Sequence, residues 1–446
     1  MITAYYYYVS LDNYFVFDDF NEMLYGSGDL TSYIFGTANL RVFGSLIVWL
    51  RFKLFGLWHV GYNLLSIAVH LVNITAVFLL LKKISDNERF AFVASLIFAG
   101  MSVYCDAILY KAAFQTICNV PFYCLTLYLY LKGREDIRLY YVSLGLFFLG
   151  MFVKEEFASL PFMVLLLEIV IYNNIGQLKS IVKKIAPYLV IIVLYLAASF
   201  MQSKFNKIPQ YEFEVASKFN WTRSLFGGLY TFFLQPDSAI GSTTLLLCSS
   251  ILPVVLVGAL YVSKNRRMLL FGLGWVIIAF LPQSYSASTS LNQEFIALSM
   301  SRHLYLPSIG AAIVIASIVL FTFRVINIYV GNAIIAGVVA CIVLYNGQLV
   351  HKRSAQWGWN TQVVEMRLFL NSLLSEMPVF EEGAHLIVEN PPAGRSAMNG
   401  ALRTIYHNKV AYVDDPAKFD FNEIRSLYRI DNGIRFGRDV VVKKIK

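Results

Sequence analysis

Two adjacent carboxylates near the amino terminus are the first residues of the chain whose type and spacing suggest chemistry. Asp18 and Asp19 follow Asn13, and the residues around the pair are mostly aromatic or apolar. Loss of hydration raises the pKa of a carboxyl group, so that a carboxylate in such a frame accepts a proton near neutral pH. The pair is interpreted either as a general base that deprotonates an acceptor hydroxyl or as a cap for a helix at Phe20.

Two other groups of charged residues border apolar segments and contain cations suited to phosphate. Lys154, Glu155 and Glu156 separate two such segments, and Arg302 and His303 precede a third. A lysine ammonium binds a phosphate oxygen, as does a guanidinium beside the N–H groups of a helix start. The alternative interpretation is a hairpin turn with snorkelling charges at the first group and a headgroup anchor at the second.

Other polar residues beside or within the apolar segments are expected to support these groups. His70 lies in the middle of an apolar segment. A lone histidine there more often makes an interhelical hydrogen bond than binds a ligand. Glu155, Tyr305 and Asp106 complete the set of supporting residues.

The composition indicates the class of protein that must position these residues. Of 446 residues, 57% are hydrophobic and only 15% are charged, whereas a soluble domain has about 25% charged residues. The net charge of +9 comes mostly from short loops between apolar segments, which favours membrane topology over a nucleic-acid partner. The five cysteines have neither disulfide-framework nor zinc-site spacing.

Hydropathy predicts an all-α polytopic membrane protein with about 10 to 11 transmembrane helices. The apolar segment that starts at Arg41 contains Arg51 and Lys53, so it is expected to lie along the membrane interface. The short apolar run at Tyr5–Val9 is expected to be the remnant of a first transmembrane helix. The clear spans are predicted near residues 60–81, 89–105, 114–131, 139–153, 156–173, 186–202, 243–262, 268–284, 304–322 and 327–346.

The charged loops divide into two sets if these helices alternate in direction. One set is basic and is predicted to be cytoplasmic by the positive-inside rule. The opposite, extracytoplasmic set contains the acidic loop 10–40, the Lys154 group, the Arg302 group and the carboxy-terminal region. The polar candidates are therefore predicted to lie on one face of the membrane. The basic loops contain Lys82, Lys83, Arg89, Lys132, Arg134, Arg138, Lys179, Lys183, Lys184, Lys264, Arg266, Arg267 and Arg324.

Two domains are predicted, a transmembrane unit over residues 1–350 and a small extracytoplasmic α+β domain over 351–446. In the second, residues 356–374 have helical apolar spacing, and His385–Val388, Val410–Val413 and Val440–Val442 are expected to form strands. Turns are expected at Pro391-Pro392 and at Asp431-Asn432-Gly433.

An ordered series of motifs resembles the GT-C superfamily of membrane glycosyltransferases, especially members related to protein O-mannosyltransferases and lipid A aminoarabinose transferases. Asp18-Asp19 matches the acidic pair of the first external loop, and Asn39-Leu40-Arg41 resembles its Arg-Pro stretch, with Val42 in place of proline. Three later stretches continue the series. These are Tyr62-Asn63 with His70 and Asn73, Lys154-Glu155 with Pro161, and Arg302–Gly310. In Phe98–Tyr110, Met101-Ser102 replaces the family's His-Pro, and Asp106 replaces its glutamate.

The resemblance implies an inverting transfer, in the bacterial inner (plasma) membrane, from a polyprenyl-phosphate sugar to a protein, lipid or glycan acceptor. Asp18 or Asp19 would be the base, Arg302 and Lys154 would bind the lipid phosphate, and Arg41 and His303 are secondary candidates. Carboxylate oxygens also suit magnesium or manganese, so the pair is a candidate metal site. Too few other ligands are recognised to predict a metal or another cofactor.

Three other functions are weighed against this one. A flippase or transporter of lipid-linked glycan is expected to show internal repeats and charges at mid-membrane, and the sequence shows neither. A polymerase or ligase of lipid-linked glycan does not account for the acidic pair. An inactive family member is the third, because the first helix is expected to be truncated.

Overall fold

The structure is a computed structural model, and the description covers most of the chain. The described residues are 2–16, 18–28, 30–31, 34, 40–205, 266–287, 301–322, 328–359, 361–407, 409–414, 426–434 and 439–445. The predicted helix 243–262 lies outside them, as do Asn39, Lys264 and Arg324.

Helices make up most of the described chain and are numbered here in chain order. Before the carboxy-terminal region they are α1 Ile2–Tyr7, α2 Asp18–Ser27, α3 Val42–Phe55, α4 His59–Ser85, α5 Glu88–Ala99, α6 Asp106–Leu109, α7 Phe114–Gly133, α8 Ile137–Met151, α9 Leu160–Leu166, α10 Leu178–Phe205, α11 Arg266–Ala287, α12 Pro307–Thr322 and α13 Ile328–Trp359.

Four of the described helices are long and apolar enough to cross a membrane. Their qualifying ranges are His59–Ser85, Lys111–Gly133, Ile175–Gln202 and Asn332–Ala355. The shorter apolar helices Ile137–Met151 and Pro307–Leu320 lie among them. The predicted all-α membrane architecture is confirmed, and the chain is an integral membrane protein.

Helix α4 shows how the sequence builds this bundle. Its polar residues Asn63, His70 and Asn73 recur at intervals of seven and three, so they share one face with Val77 and Leu80. That face is buried, whereas the rest of the helix is largely apolar and exposed. In a membrane the exposed apolar face contacts lipid and the polar face contacts neighbouring helices.

Side-chain contacts gather the described basic loops at one end of the bundle. Lys83 lies 3.9 Å from Glu135, and Arg134 and Lys184 lie 3.5 and 3.4 Å from buried Glu168. The Arg267 guanidinium approaches the Ile171 carbonyl at 3.4 Å. The predicted grouping of these loops therefore agrees with the geometry.

The carboxy-terminal region contains a four-stranded sheet. Its strands are β1 Ala384–Glu389, β2 Val410–Tyr412, β3 Leu427–Asn432 and β4 Val440–Lys444, in the order β2-β1-β3-β4. β1 is parallel to β2 and β3, and β4 is antiparallel to β3. Two further helices, α14 Thr361–Glu376 and α15 Arg395–Ile405, belong to this region. The predicted small α+β unit is confirmed.

Some predicted element bounds differ from the structure. The helix predicted to end near residue 346 continues as α13 to Trp359. The helix predicted from 186 begins at Leu178. β3 and α15 were not predicted, and Asp431 and Asn432 end a strand where a turn was expected.

Candidate active site

Helix α2 begins at the acidic pair and fixes one of its two carboxylates. Asp19 is 2% exposed. Its Oδ2 accepts a hydrogen bond from the Val16 N–H at 2.9 Å, and its Oδ1 accepts one from the Ala112 N–H at 2.7 Å. Burial raises the pKa of Asp19 to about 6, against the charge of Lys111 and the two backbone N–H groups. Asp19 thus joins the start of α2 to the segment before α7.

Asp18 faces outward and has a different environment. Its side chain is exposed, and its Oδ2 accepts a hydrogen bond from the Tyr110 hydroxyl at 2.9 Å. Its backbone N–H donates to the Tyr110 hydroxyl oxygen at 3.2 Å. Burial raises the pKa of Tyr110, which keeps this phenol a donor. Among the residues that the structure describes, Oδ1 of Asp18 has no hydrogen-bond partner. Asp18 is therefore the carboxylate of the pair that is open to an incoming group.

Side chains from the bundle hold the loop that precedes α2 by its backbone carbonyls. The Asn63 amide donates to the carbonyls of Ser10, Leu11 and Asn13 at 2.8, 3.0 and 3.2 Å. The buried Lys111 ammonium donates to the backbone carbonyls of Asn13 and Tyr14 at 2.8 and 3.0 Å. These bonds satisfy carbonyls that would otherwise be buried without partners.

Arg51 points into this site from α3, rather than towards the membrane surface as its place in an interfacial segment suggested. It is 3% exposed, and its guanidinium lies 4.6 and 4.4 Å from the ring centres of Tyr62 and Phe114. It donates to the Lys111 carbonyl at 2.8 Å and lies 3.5 Å from the Glu22 carboxylate. Burial raises the pKa of Glu22 to about 8, although Arg51 opposes the rise.

Arg41 and Lys154 are both neutralised by neighbouring carboxylates. Arg41 forms two 2.7 Å hydrogen bonds to Glu155, and Lys154 lies 2.7 Å from Glu156 and contacts Thr116. Burial opposes ionisation of Glu155, yet the Arg41 charge and hydrogen bonds hold its pKa below the usual range. Burial lowers the pKa of Lys154, although Glu156 opposes this.

The segment just before Lys154 also binds the start of α3. The N–H groups of Phe43 and Gly44 donate to the Phe152 carbonyl at 3.0 and 3.2 Å. Val42, which stands where the resembling family has proline, is the first residue of α3. Proline is favoured at that position because its missing N–H is not needed there, and valine fills it here.

Arg302 is the predicted phosphate ligand that has no carboxylate partner in the described part of the chain. It is half-buried, and its guanidinium lies 5.5 Å from the ring centre of Tyr110. Its Nε lies 3.4 Å from Nε2 of His303. The ring and hydroxyl of Tyr110 thus link Arg302 to Asp18.

His303 adds a neutral donor beside this cation. Burial lowers its pKa well below the usual value, and the charges of Lys154, Arg302 and Arg41 add to that effect. Its Nε2 accepts from Arg302, so the proton is assigned to Nδ1, which is buried and has no partner among the described residues. An oxyanion placed there would satisfy it.

The remaining predicted residues serve contacts between helices. Tyr305 places its hydroxyl 2.6 Å from Nδ1 of His70 and accepts from the Asn73 amide at 2.9 Å. Asp106 makes two hydrogen bonds to Arg353 of α13, at 2.9 and 2.8 Å. Tyr305, His70 and Asp106 therefore link helices of the bundle to one another. The expected interhelical role of His70 agrees with its contact to Tyr305.

Most of the carboxylate oxygens of the acidic pair accept hydrogen bonds from the protein. Both oxygens of Asp19 accept backbone hydrogen bonds, and one oxygen of Asp18 accepts from Tyr110. Magnesium takes six oxygen ligands, and in the described chain no three histidine, cysteine or carboxylate groups meet in a metal-binding arrangement.

Two comparisons with known proteins show a likeness to membrane glycosyltransferases. Residues 42–201 match the family described as dolichyl-phosphate-mannose-protein mannosyltransferase. The crystal structure of ArnT from Cupriavidus metallidurans bound to undecaprenyl phosphate superposes with a TM-score of 0.54 at 11% identity, covering 99% of this chain and 96% of ArnT. The chain has the GT-C fold. The predicted likeness to GT-C glycosyltransferases is confirmed.

Other comparisons are weaker. ArnT from the same organism in the apo state gives a TM-score of 0.50 at 11% identity, with coverage of 99% of this chain and 96% of ArnT. The Archaeoglobus fulgidus oligosaccharyltransferase with a tethered acceptor peptide gives 0.45 at 11% identity, with coverage of 93% and 63%. No curated protein sequence matches the chain.

Tyr110, Lys111 and Arg51 are the site residues that the sequence did not reveal. Tyr110 and Lys111 interrupt the apolar run that leads into α7, and that interruption is the signal by which they could have been found. Arg51 resembled an interfacial charge, because periodicity alone does not show which side of an isolated helix is buried.

Proposed function

We propose that this GT-C-fold protein transfers a sugar from a polyprenyl-phosphate donor to an acceptor hydroxyl on the extracytoplasmic face, with inversion. One observation carries the proposal. An open carboxylate and a guanidinium that has no carboxylate partner among the described residues lie on the same tyrosine, Asp18 on its hydroxyl and Arg302 over its ring. This pair of groups is what a single displacement at a sugar–phosphate bond requires.

Asp18 supplies the base in this mechanism. It takes the proton of the acceptor hydroxyl while that oxygen attacks the anomeric carbon. The bond from the anomeric carbon to the phosphate oxygen breaks with its electron pair on the phosphate. A single attack from the face opposite the leaving group inverts the anomeric configuration.

Arg302 supplies the electrostatic part. As the bond breaks, the charge on the lipid phosphate grows from one negative charge towards two, so a fixed cation stabilises the transition state more than the bound donor. The Nδ1–H of His303 is a second donor for the same oxygens. Arg41 and Lys154 are each neutralised by a neighbouring carboxylate. Their role is to hold the Glu155 segment and α3 in place.

The chemical class of donor is inferred from the family match and from the undecaprenyl phosphate in the ArnT structure. A protein, lipid or glycan carrying a free hydroxyl suits an exposed carboxylate, and the lipid bilayer supplies the donor. The site lies at the end of the bundle away from the basic loops, which supports the extracytoplasmic side of a bacterial plasma membrane.

The proposal is tested with purified protein in liposomes and undecaprenyl-phosphate sugars. We expect Arg302→Ala to weaken binding of undecaprenyl phosphate by at least about 10-fold, the effect of a lost charge-assisted contact. Arg302→Lys should retain part of the affinity. The double variant Asp18→Asn/Asp19→Asn should bind the lipid phosphate but transfer no sugar. A folded double variant with full activity would refute the base assignment.

A further inference from the structure

Helix α2, which carries the acidic pair, is packed between two other helices through glycines. Gly26 faces α3, and a Cβ added to it would lie 2.7 Å from Cβ of Phe52. Gly400, in α15 of the carboxy-terminal region, faces the other side of α2. A Cβ added there would lie 2.9 Å from Oδ1 of Asn21 and 3.0 Å from the carbonyl carbon and oxygen of Phe20.

The contact at Gly400 is made to backbone. A clash with the end of a flexible side chain is relieved by a rotamer change, whereas a clash with the Phe20 carbonyl is relieved only when a helix moves. Phe20 is two residues from Asp18 and directly follows Asp19. A shift of its peptide group therefore moves the carboxylate that the proposed mechanism uses.

The acidic loop and the carboxy-terminal region also share one hydrophobic core. Phe15 and Phe20 are buried in the same cluster as Met398 and Leu402 of α15 and Phe369 of α14. This core therefore joins α2 directly to both helices of the carboxy-terminal region.

Polar contacts reinforce this union at the loop before α2. Arg367 of α14 lies 3.4 Å from Asp12 and 5.7 Å from the ring centre of Tyr14. The carboxy-terminal region thus touches the loop on both sides of Asn13.

We infer that the carboxy-terminal domain is a positioning part of the active site, and that the close contact between Gly400 and the Phe20 backbone sets the place of Asp18. This inference rests on the proposed function only for the identity of Asp18 as the base. Gly400 touches no reacting atom and acts through α2. Misplacement of a catalytic group by about 1 Å costs on the order of 100-fold in rate.

The test compares Gly400→Ala with Gly394→Ala. Gly394 is the residue just before α15, and an added Cβ there meets nothing within 4 Å. We expect Gly400→Ala to lower kcat by at least about 10-fold, with the KM for donor and the affinity for undecaprenyl phosphate unchanged. Gly394→Ala should behave as wild type. A structural defect alone would instead lower thermal stability and lipid-phosphate binding together.

A second-site variant and a measurement that does not depend on activity also test the positioning role. Asn21→Ala removes the nearest of the three contacts, so it should restore part of the turnover of Gly400→Ala. Hydrogen exchange of the peptide spanning α2 should be faster in Gly400→Ala, partly restored in Gly400→Ala/Asn21→Ala, and unchanged in Gly394→Ala.

The outcomes separate the two proposals. Wild-type kcat and wild-type exchange of α2 in Gly400→Ala would overturn the positioning role. Loss of lipid-phosphate binding and turnover in equal measure would also overturn it. Absence of transfer by the wild-type protein from every donor refutes the proposed function, while the exchange of α2 still decides whether the carboxy-terminal domain positions it.

Discussion

At the scale of single residues, two adjacent aspartates have different roles because their surroundings differ. Asp19 uses both oxygens on backbone N–H groups, whereas Asp18 keeps one oxygen without a partner in the described chain. The sequence predicted the pair and its aromatic frame. It could not predict the different roles of the two aspartates, because the partners Tyr110 and Ala112 are more than ninety residues away.

The raised pKa of Asp19 predicts a pH dependence of stability. Its pKa is about 6 in the folded protein and 3.8 in the reference state, so the folded protein holds the proton more tightly. The stabilisation of the folded protein by proton binding at Asp19 is fully present below about pH 4 and is lost as pH rises through about 6. At about 1.4 kcal/mol for each pH unit between the two values, the loss is about 3 kcal/mol.

Asp19→Asn removes this titration and isolates the effect. Its melting temperature should be lower than that of wild type, because one of the two backbone N–H groups loses its acceptor at a cost of about 1–3 kcal/mol. The gap should narrow as pH rises from 4 to 7. Melting curves that stay parallel over this range would show that Asp19 does not titrate as described.

At the scale of elements, prediction succeeded where local pattern and burial agree. The apolar span of α4 followed from hydropathy, and the strands β1, β2 and β4 followed from apolar runs. β3 was missed because Arg429 and Asp431 interrupt its apolar residues, although they alternate with buried Tyr428 and Ile430. α15 was missed because Gly394 and Gly400 resemble loop residues. Gly400 in fact serves a close helix contact, which no local pattern reveals.

The ion pair between α6 and α13 predicts a measurable coupling. Asp106 is 1% exposed on its side chain and forms a two-bond contact with Arg353. Removing one partner of a buried pair costs about 3–5 kcal/mol. We expect Asp106→Asn to lower the melting temperature strongly, and Asp106→Asn/Arg353→Met to be less destabilised than the sum of the single variants.

Asp12→Asn is the matched control for this cycle. Asp12 pairs with Arg367, but its side chain is 69% exposed, and an exposed pair contributes less than about 1 kcal/mol. Equal melting temperatures for Asp106→Asn and Asp12→Asn would contradict a structural role for the Asp106 pair.

At the scale of the whole molecule, the basic loops and the candidate active site lie at opposite ends of the helix bundle. Contacts such as Lys83–Glu135 join basic loops at one end, and the Asp18–Tyr110–Arg302 arrangement lies at the other. Composition and the positive-inside rule predicted this division. They could not predict that the carboxy-terminal region packs on α2, because that contact depends on tertiary structure alone.

The proposed orientation predicts which cysteines a membrane-impermeant reagent labels in intact cells. Single cysteines at exposed Asp12 and Val379 should be labelled from outside. A cysteine at exposed Glu135 should be labelled only after the membrane is opened. Labelling in the opposite order would place the site on the cytoplasmic side and contradict the proposed orientation.

The most direct test of the central claim measures sugar transfer in a single turnover by purified Asp18→Asn beside Asp12→Asn. Both variants replace one exposed carboxylate with an amide, but Asp12 lies in the loop before α2 beside Arg367, whereas Asp18 begins α2 and contacts Tyr110. General-base catalysis is worth about 100-fold or more. We predict that Asp18→Asn lowers the rate of polyprenyl-phosphate release by at least about 100-fold without loss of lipid-phosphate binding, whereas Asp12→Asn stays near wild type. A folded Asp18→Asn variant that transfers sugar at the wild-type rate would contradict the account.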